Sequence, residues 1–153
     1  MPELQMHPFY RIWLTWVDPI VIGGTIIGVL IDPNLFMDGF IPASISQANP
    51  DHAFLYHHLA VFYGFIVIMV GVLQRVSSDL RVWKTIQAAV LYVDVALIAI
   101  VYTSLKQQGR LSLDQMRPVD WANFLFTGWV ALIRVFFLAG VGVGKVEAEK
   151  KRQ

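Results

Sequence analysis

Residues 85–105 read TIQAAVLYVDVALIAIVYTSL, an apolar run broken by a single charge, Asp94. A helix that crosses a hydrocarbon core of about 30 Å needs about 20 mainly apolar residues, and this stretch has that length. Three further segments pass the same test: 9–31, 52–73 and 121–143. The sequence therefore predicts an all-α fold, a bundle of four transmembrane helices within residues 1–144, followed by a basic tail at 145–153. Composition agrees, because 56% of the 153 residues are hydrophobic and only 15% are charged, outside the range of a water-soluble domain. The lipid bilayer is the expected partner. A net charge of +1 gives no field that would gather nucleic acid. With no cysteine, disulfides, thiolate nucleophiles and sulfur-ligated zinc are excluded.

The connections carry helix-entrance signals. Asn49-Pro50-Asp51, Ser77-Ser78-Asp79 and Pro118-Val119-Asp120 are residue types that accept hydrogen bonds from the free amides of a first helical turn. The 32–51 connection contains Leu35, Phe36, Phe40 and Ile41 and is expected to lie on the membrane surface. Orientation follows from the basic residues, which stay preferentially on the cytosolic side. Arg75, Arg81, Lys84, Lys145, Lys150, Lys151 and Arg152 flank one face, against Lys106, Arg110 and Arg117 on the other. Both termini are expected in the cytosol. Lys150-Lys151-Arg152-Gln153 resembles the dilysine retrieval signal of endoplasmic reticulum membrane proteins, which implies a multi-pass protein of that membrane; the alternative is a basic tail that anchors the last helix at the headgroups. A glycosylation-site insertion scan separates these topologies from their inverse.

Three ionisable residues fall inside the spans: Asp18, Asp94 and Arg134. Each costs about 2.5–3.5 kcal/mol at bilayer depth on insertion scales, so something must compensate. Each lies nine residues from the cytosolic end of its segment as bounded above, or ~13 Å deep at 1.5 Å per residue, which predicts that they meet. One guanidinium cannot neutralise two carboxylates. The less well paired acid is then expected to hold a proton that it can donate. Gln87 shares a helical face with Asp94, and Thr15 lies a turn from Asp18, so each acid has a hydrogen-bonding helper. The alternative is a structural ion pair that fixes helix register without chemistry. Asp18 has a second alternative, as the cap of a helix that begins at Pro19 with Trp13 and Trp16 in the interfacial belt. If the helix is continuous instead, Pro19 frees the carbonyl of Thr15.

His57 continues through Ala60, Gly64 and Gly71 along a face of small residues and is expected to point into the bundle, as a proton shuttle or as a core histidine with one hydrogen bond. Trp13, Trp16, Tyr63, Tyr92 and Trp129 are candidates to line a substrate pocket and stabilise a cation through their ring faces, with Gln87 as a polar contact. No metal site is expected, since no HxxE or HxH spacing occurs, and no cofactor, since no phosphate-binding glycine loop or DDxxD-like run is present. Gly24–Gly28 and Gly140–Gly144 have the GxxxG spacing that serves close helix packing, including self-association into a homo-oligomer.

Pro8-Phe9-Tyr10-Arg11-Ile12-Trp13, Asp18-Pro19, Phe36-Met37-Asp38-Gly39-Phe40-Ile41-Pro42, Asp79-Leu80-Arg81-Val82-Trp83-Lys84-Thr85 and Asp120-Trp121 together resemble a family of small fungal four-helix integral membrane proteins of mostly unassigned function. In size and buried acids the chain is also similar to the small membrane terpene cyclases and epoxide-rearranging isomerases of fungal secondary-metabolite pathways. That resemblance implies a cofactor-independent isomerase or cyclase acting by Brønsted acid catalysis on a lipophilic small-molecule substrate. Asp18 or Asp94 would be the acid and Arg134 the residue that holds the constellation. The rival expectations are a lipid- or sterol-binding membrane protein and a structural subunit of a membrane complex.

Overall fold

The structure, a computed structural model, describes residues 6–144. The basic tail 145–153, with its Lys150-Lys151 pair, lies outside the described residues. Four helices are long and apolar enough to cross a membrane: α1 (Pro8–Ile31), α3 (Pro50–Val76), α4 (Leu80–Gln107) and α5 (Pro118–Leu138). A short helix, α2 (Pro33–Asp38), follows α1, and no β-strand occurs among the described residues. The entrances are capped largely as the sequence suggests. Asn49 accepts from the amide of Asp51, Asp79 from that of Arg81, and the Asp120 carboxylate from that of Arg117.

α1 packs on α3 and α4 on α5, forming two antiparallel hairpins. Near the termini the hairpins are joined by Tyr10 and Leu14 of α1, Trp83 of α4, and Ile133 and Phe137 of α5. Farther in they meet through Val70 of α3 against Ile86 and Val90 of α4. Long apolar residues such as Ile20, Val61, Phe62 and Leu125 cover the outside, as a lipid-facing surface requires.

Two helix ends lie 5 residues from the sequence expectation, the largest differences among the four spans. α4 begins at Leu80 rather than Thr85, because Asp79 supplies the cap. α5 ends at Leu138 rather than Val143, because Gly140 (φ 84°) and Gly142 (φ 69°) adopt the left-handed backbone that terminates a helix. Gly140–Gly144 is therefore not a helical packing face, which corrects that part of the GxxxG reading. The turn instead packs against the segment before α1: the His7 amide donates to the Gly142 carbonyl at 2.8 Å, and Met6 bridges to Val143. A Cβ on Gly142 would stand 3.3 Å from the Tyr10 ring. Gly24–Gly28 remains helical, but no other part of the bundle comes within 4 Å of the Cβ position of either glycine.

α1 is continuous through Asp18, with a π-helical turn at Trp13–Val17. Pro19 has no amide hydrogen to give the Thr15 carbonyl. Arg75 of α3 takes that acceptor, its Nη2 donating to Thr15 O at 2.5 Å, while its guanidinium stacks 3.9 Å above the Trp16 ring. α3 has its own π-helical segment, Ile68–Leu73, opposite this one. There Gly71 admits the Pro19 ring, whose Cβ and Cγ lie 3.3 Å from where a Gly71 Cβ would be. Two irregular turns thus interlock at a proline and a glycine.

Candidate functional site

Asp18, near the middle of α1, and Asp94, near the middle of α4, converge on Arg134 of α5. Arg134 Nη1 donates to Asp18 Oδ2 at 2.5 Å and its Nε to Asp94 Oδ2 at 2.7 Å. The guanidinium is 2% exposed and Asp18 5%. The alternative in which Asp18 caps a helix in water does not hold. The three are not at equal distances from their helix ends: Asp18 lies 10 residues from Pro8, Asp94 14 from Leu80 and Arg134 4 from Leu138. The long arginine side chain makes up the difference by reaching from the last turn and a half of α5 toward the middle of its neighbours.

Gln87 belongs to this network rather than to a substrate surface. It is fully buried, and its Oε1 accepts from Arg134 Nη1 at 3.1 Å. Its Nε2 donates at 2.8 Å to Oε1 of Gln74 on α3, with the Gln74 amide assigned to suit its neighbours; Gln74 Nε2 then donates to the Leu14 and Val70 carbonyls at 3.2 Å each. A chain of hydrogen bonds so links all four spanning helices. Gln74 was not singled out in the sequence, although a glutamine in a membrane helix is itself a signal, since its amide must find partners. Thr15 does not help Asp18: its hydroxyl donates to the Arg11 carbonyl at 2.6 Å.

The carboxylates and Arg134 line an open-sided cavity of about 340 Å³ bounded mainly by α1, α4 and α5. Its walls are mainly apolar, with Trp13 near the acids and Tyr63 of α3 at one side. The buried indole Nε1–H of Trp13 approaches the Asp18 carboxylate but completes no hydrogen bond of normal geometry. A second cavity of about 430 Å³, almost wholly apolar, lies between α3 and α4. The two share Tyr63, Ile66, Val90, Val93 and Leu97, so they are separated by no more than these side chains.

Four sequence candidates lie elsewhere. His57 is exposed, as is His58, which bonds its own helix at the Phe54 carbonyl (2.7 Å). The inward positions at this level of α3 belong to Tyr56, whose hydroxyl meets Met37, and to Ala60 and Tyr63 one and two turns on. Trp16, Tyr92 and Trp129 are 57%, 75% and 52% exposed and face outward. In a lipid-soluble bundle both faces of a helix are apolar, so an aromatic residue carries no mark of which side it faces. Among the described residues, no group of three or more histidine or acidic side chains is placed to hold a metal ion.

Part of the connection after α1 packs on the bundle. Phe36, Gly39 and Phe40 close the end of the cavity away from the termini, and polar side chains from α4 and the start of α5 pin them there. Arg117 donates to Asp38 Oδ1 (3.0 Å) and Asp38 O (2.6 Å), Asn123 to Gly39 O (2.5 Å), and Gln108 to Phe40 O (3.0 Å). Arg110 and Arg117 both pair with the buried Asp120. The Ala43 amide and the Arg117 guanidinium hold the Asp38 carboxyl below its ordinary range. A lowered value stabilises this strap above the ordinary carboxylate range, and the contribution disappears as pH falls through the lowered value. Asn123→Ala is expected to lower amide protection factors across residues 36–43 at neutral pH without unfolding the bundle, and protection there, corrected for the intrinsic pH dependence of exchange, should fall further on acidification. Unchanged exchange in the variant would remove the strap from the account.

No curated protein and no solved structure matches the chain. Its sequence matches the domain of unknown function DUF7704 across residues 3–144, nearly its whole length, and the chain belongs to that family.

Proposed function

We propose that the protein is an integral membrane isomerase or cyclase that works by Brønsted acid catalysis on a lipophilic secondary-metabolite intermediate. One observation carries the reading: two carboxyl groups and one guanidinium line a largely apolar cavity of about 340 Å³, a volume within the range of small-molecule sites. One positive charge balances one carboxylate. The other carboxyl, Asp18 or Asp94, carries a proton. Given to an epoxide oxygen, that proton breaks a carbon–oxygen bond and leaves a carbocation. Loss of a proton from carbon back to the carboxylate, after ring closure or directly, regenerates the acid and yields an isomer of the substrate. Trp13 and Tyr63 present aromatic surface to the cationic stage. The orientation we propose has both ends of the four-helix bundle on the cytosolic side, on the excess of Lys and Arg at that face.

The test uses membranes carrying the protein, a panel of isoprenoid epoxides and product analysis by mass. The expected result is conversion to isomers of unchanged mass, lost in both Asp18→Asn and Asp94→Asn. Either variant retains one carboxylate for Arg134, so both should insert and fold. A second reading, a lipid- or sterol-binding protein, draws on the fact that both acids are already ion-paired to Arg134. Binding without conversion, or conversion unaffected by both substitutions, would overturn the catalytic reading.

A further inference from the structure

The charge count of the cavity points to a ligand class. Asp18 and Asp94 each give Arg134 one oxygen, Oδ2 in both cases. Among the described residues, Oδ1 of Asp94 has no hydrogen-bond donor. On the Asp18 side the nearby indole N–H of Trp13 stops short of a bond. The formal sum over the three groups is one excess negative charge, and no other charged side chain lines the cavity. Arg75 of α3 is committed to the Thr15 carbonyl and the Trp16 ring, and Lys84 of α4 to the Leu138 carbonyl. In a setting of low dielectric such an excess calls strongly for a compensating positive charge, either a proton or a bound cation.

We propose that this cavity is a binding site for a lipophilic monocation, a protonated amine attached to an apolar body. The ammonium sits against Asp94 Oδ1 and the Asp18 carboxylate and displaces the proton that otherwise balances them, with the Trp13 ring beside it. The apolar body runs past Tyr63 into the groove between α3 and α4, whose wall is continuous with that of the cavity. Two features favour this occupant over a neutral lipid: the cavity holds uncompensated charge, and Asp94 gives Arg134 only its Oδ2. The adjoining groove, almost wholly apolar, fits the apolar body. The inference uses the same cavity as the proposed reaction but requires no turnover.

The probe is radiolabelled N,N-dimethyldecylamine, compared with N-decylacetamide, which has a similar apolar body and no charge. Both are measured against the full-length protein in zwitterionic lipid nanodiscs, with empty discs as the blank for partitioning. The amine is expected to bind saturably and at least about tenfold more tightly than the amide. That preference should vanish in Asp94→Asn and in Asp18→Asn, each of which leaves a neutral acid–arginine pair. Asp114→Asn, which removes an exposed negative charge far from the cavity in sequence, should retain it. Equal binding of amine and amide, a preference that survives both cavity substitutions, or no saturable amine binding would each overturn the proposal. Because no reaction is followed, an inactive protein that prefers the amine leaves this inference standing. An active protein without that preference defeats it alone.

Discussion

Replacing Arg134 with Gln should destabilise the bundle more than any other single substitution, by about 3–5 kcal/mol, because it leaves two carboxyl groups buried with no counter-charge. The affected groups come from α1 and α4, which belong to different hairpins, so the loss falls on the contact between hairpins rather than within either. Gln87 also loses its donor. The measurement is thermal unfolding of detergent-solubilised protein followed by size-exclusion chromatography. The expected outcome is a large fall in midpoint and in monodisperse yield. The informative comparison is the triple variant Asp18→Asn, Asp94→Asn, Arg134→Gln. Removing all three charges together takes away their desolvation cost as well as their attraction, so this variant should recover most of the lost stability. If it is no better than Arg134→Gln alone, the arginine supports the fold through packing and the charge account is wrong.

The second large effect is expected at Gly71. Van der Waals packing and interhelical polar contacts hold membrane helices together, since lipid offers apolar surface as good as a neighbouring helix. A position where two backbones approach closely is therefore costly to fill. A Cβ at Gly71 already stands 3.3 Å from two atoms of the Pro19 ring, and a proline ring has little freedom to move aside. Gly71→Leu should force α1 from α3 beside the π-helical turns, at a cost of about 1–3 kcal/mol or more. It should also disturb the Arg75 contact with Thr15 one turn away. Gly64→Leu is the matched control on the same helix, because nothing lies within 4 Å of its Cβ position. Equal midpoints for the two variants would show that the Pro19–Gly71 contact does not hold the hairpin.

What the sequence made legible follows from what a bilayer penalises. Charges within apolar runs are expensive, so Asp18, Asp94 and Arg134 stand out, and the need to compensate them already implied that they meet. The four spans were legible for the same reason, as were the caps at Asn49 and Asp79. The Thr15 carbonyl freed by Pro19 was foreseen, while its partner Arg75 was not. An arginine near a helix end is ordinary in sequence, and only the interlocked π-helical turns bring it across. The end of α5 was misplaced because Gly140 and Gly144 have the spacing of a packing motif, whereas Gly140 and Gly142 serve as left-handed turn residues. Side-chain direction was the least legible property. Trp13 and Trp16 are three residues apart in one aromatic-rich stretch, yet the first lines the cavity and the second faces outward under Arg75. The π-helical turn that contains both shifts the register, and nothing in the hydrophobic pattern marks it.

The central claim is that one guanidinium holds two carboxyl groups from different helices in the interior of the bundle. Solid-state NMR on bilayer-embedded protein labelled with ¹⁵N-arginine and ¹³C-aspartate measures it directly, through dipolar couplings from the Arg134 side-chain nitrogens to the Asp18 and Asp94 carboxyl carbons. The contacts of 2.5 and 2.7 Å to oxygen imply nitrogen–carbon distances of about 3.5 Å to both residues, each coupling vanishing in the matching Asp→Asn variant or in Arg134→Gln. Coupling to one carboxyl alone, or to neither, would contradict the constellation and the chemistry built on it.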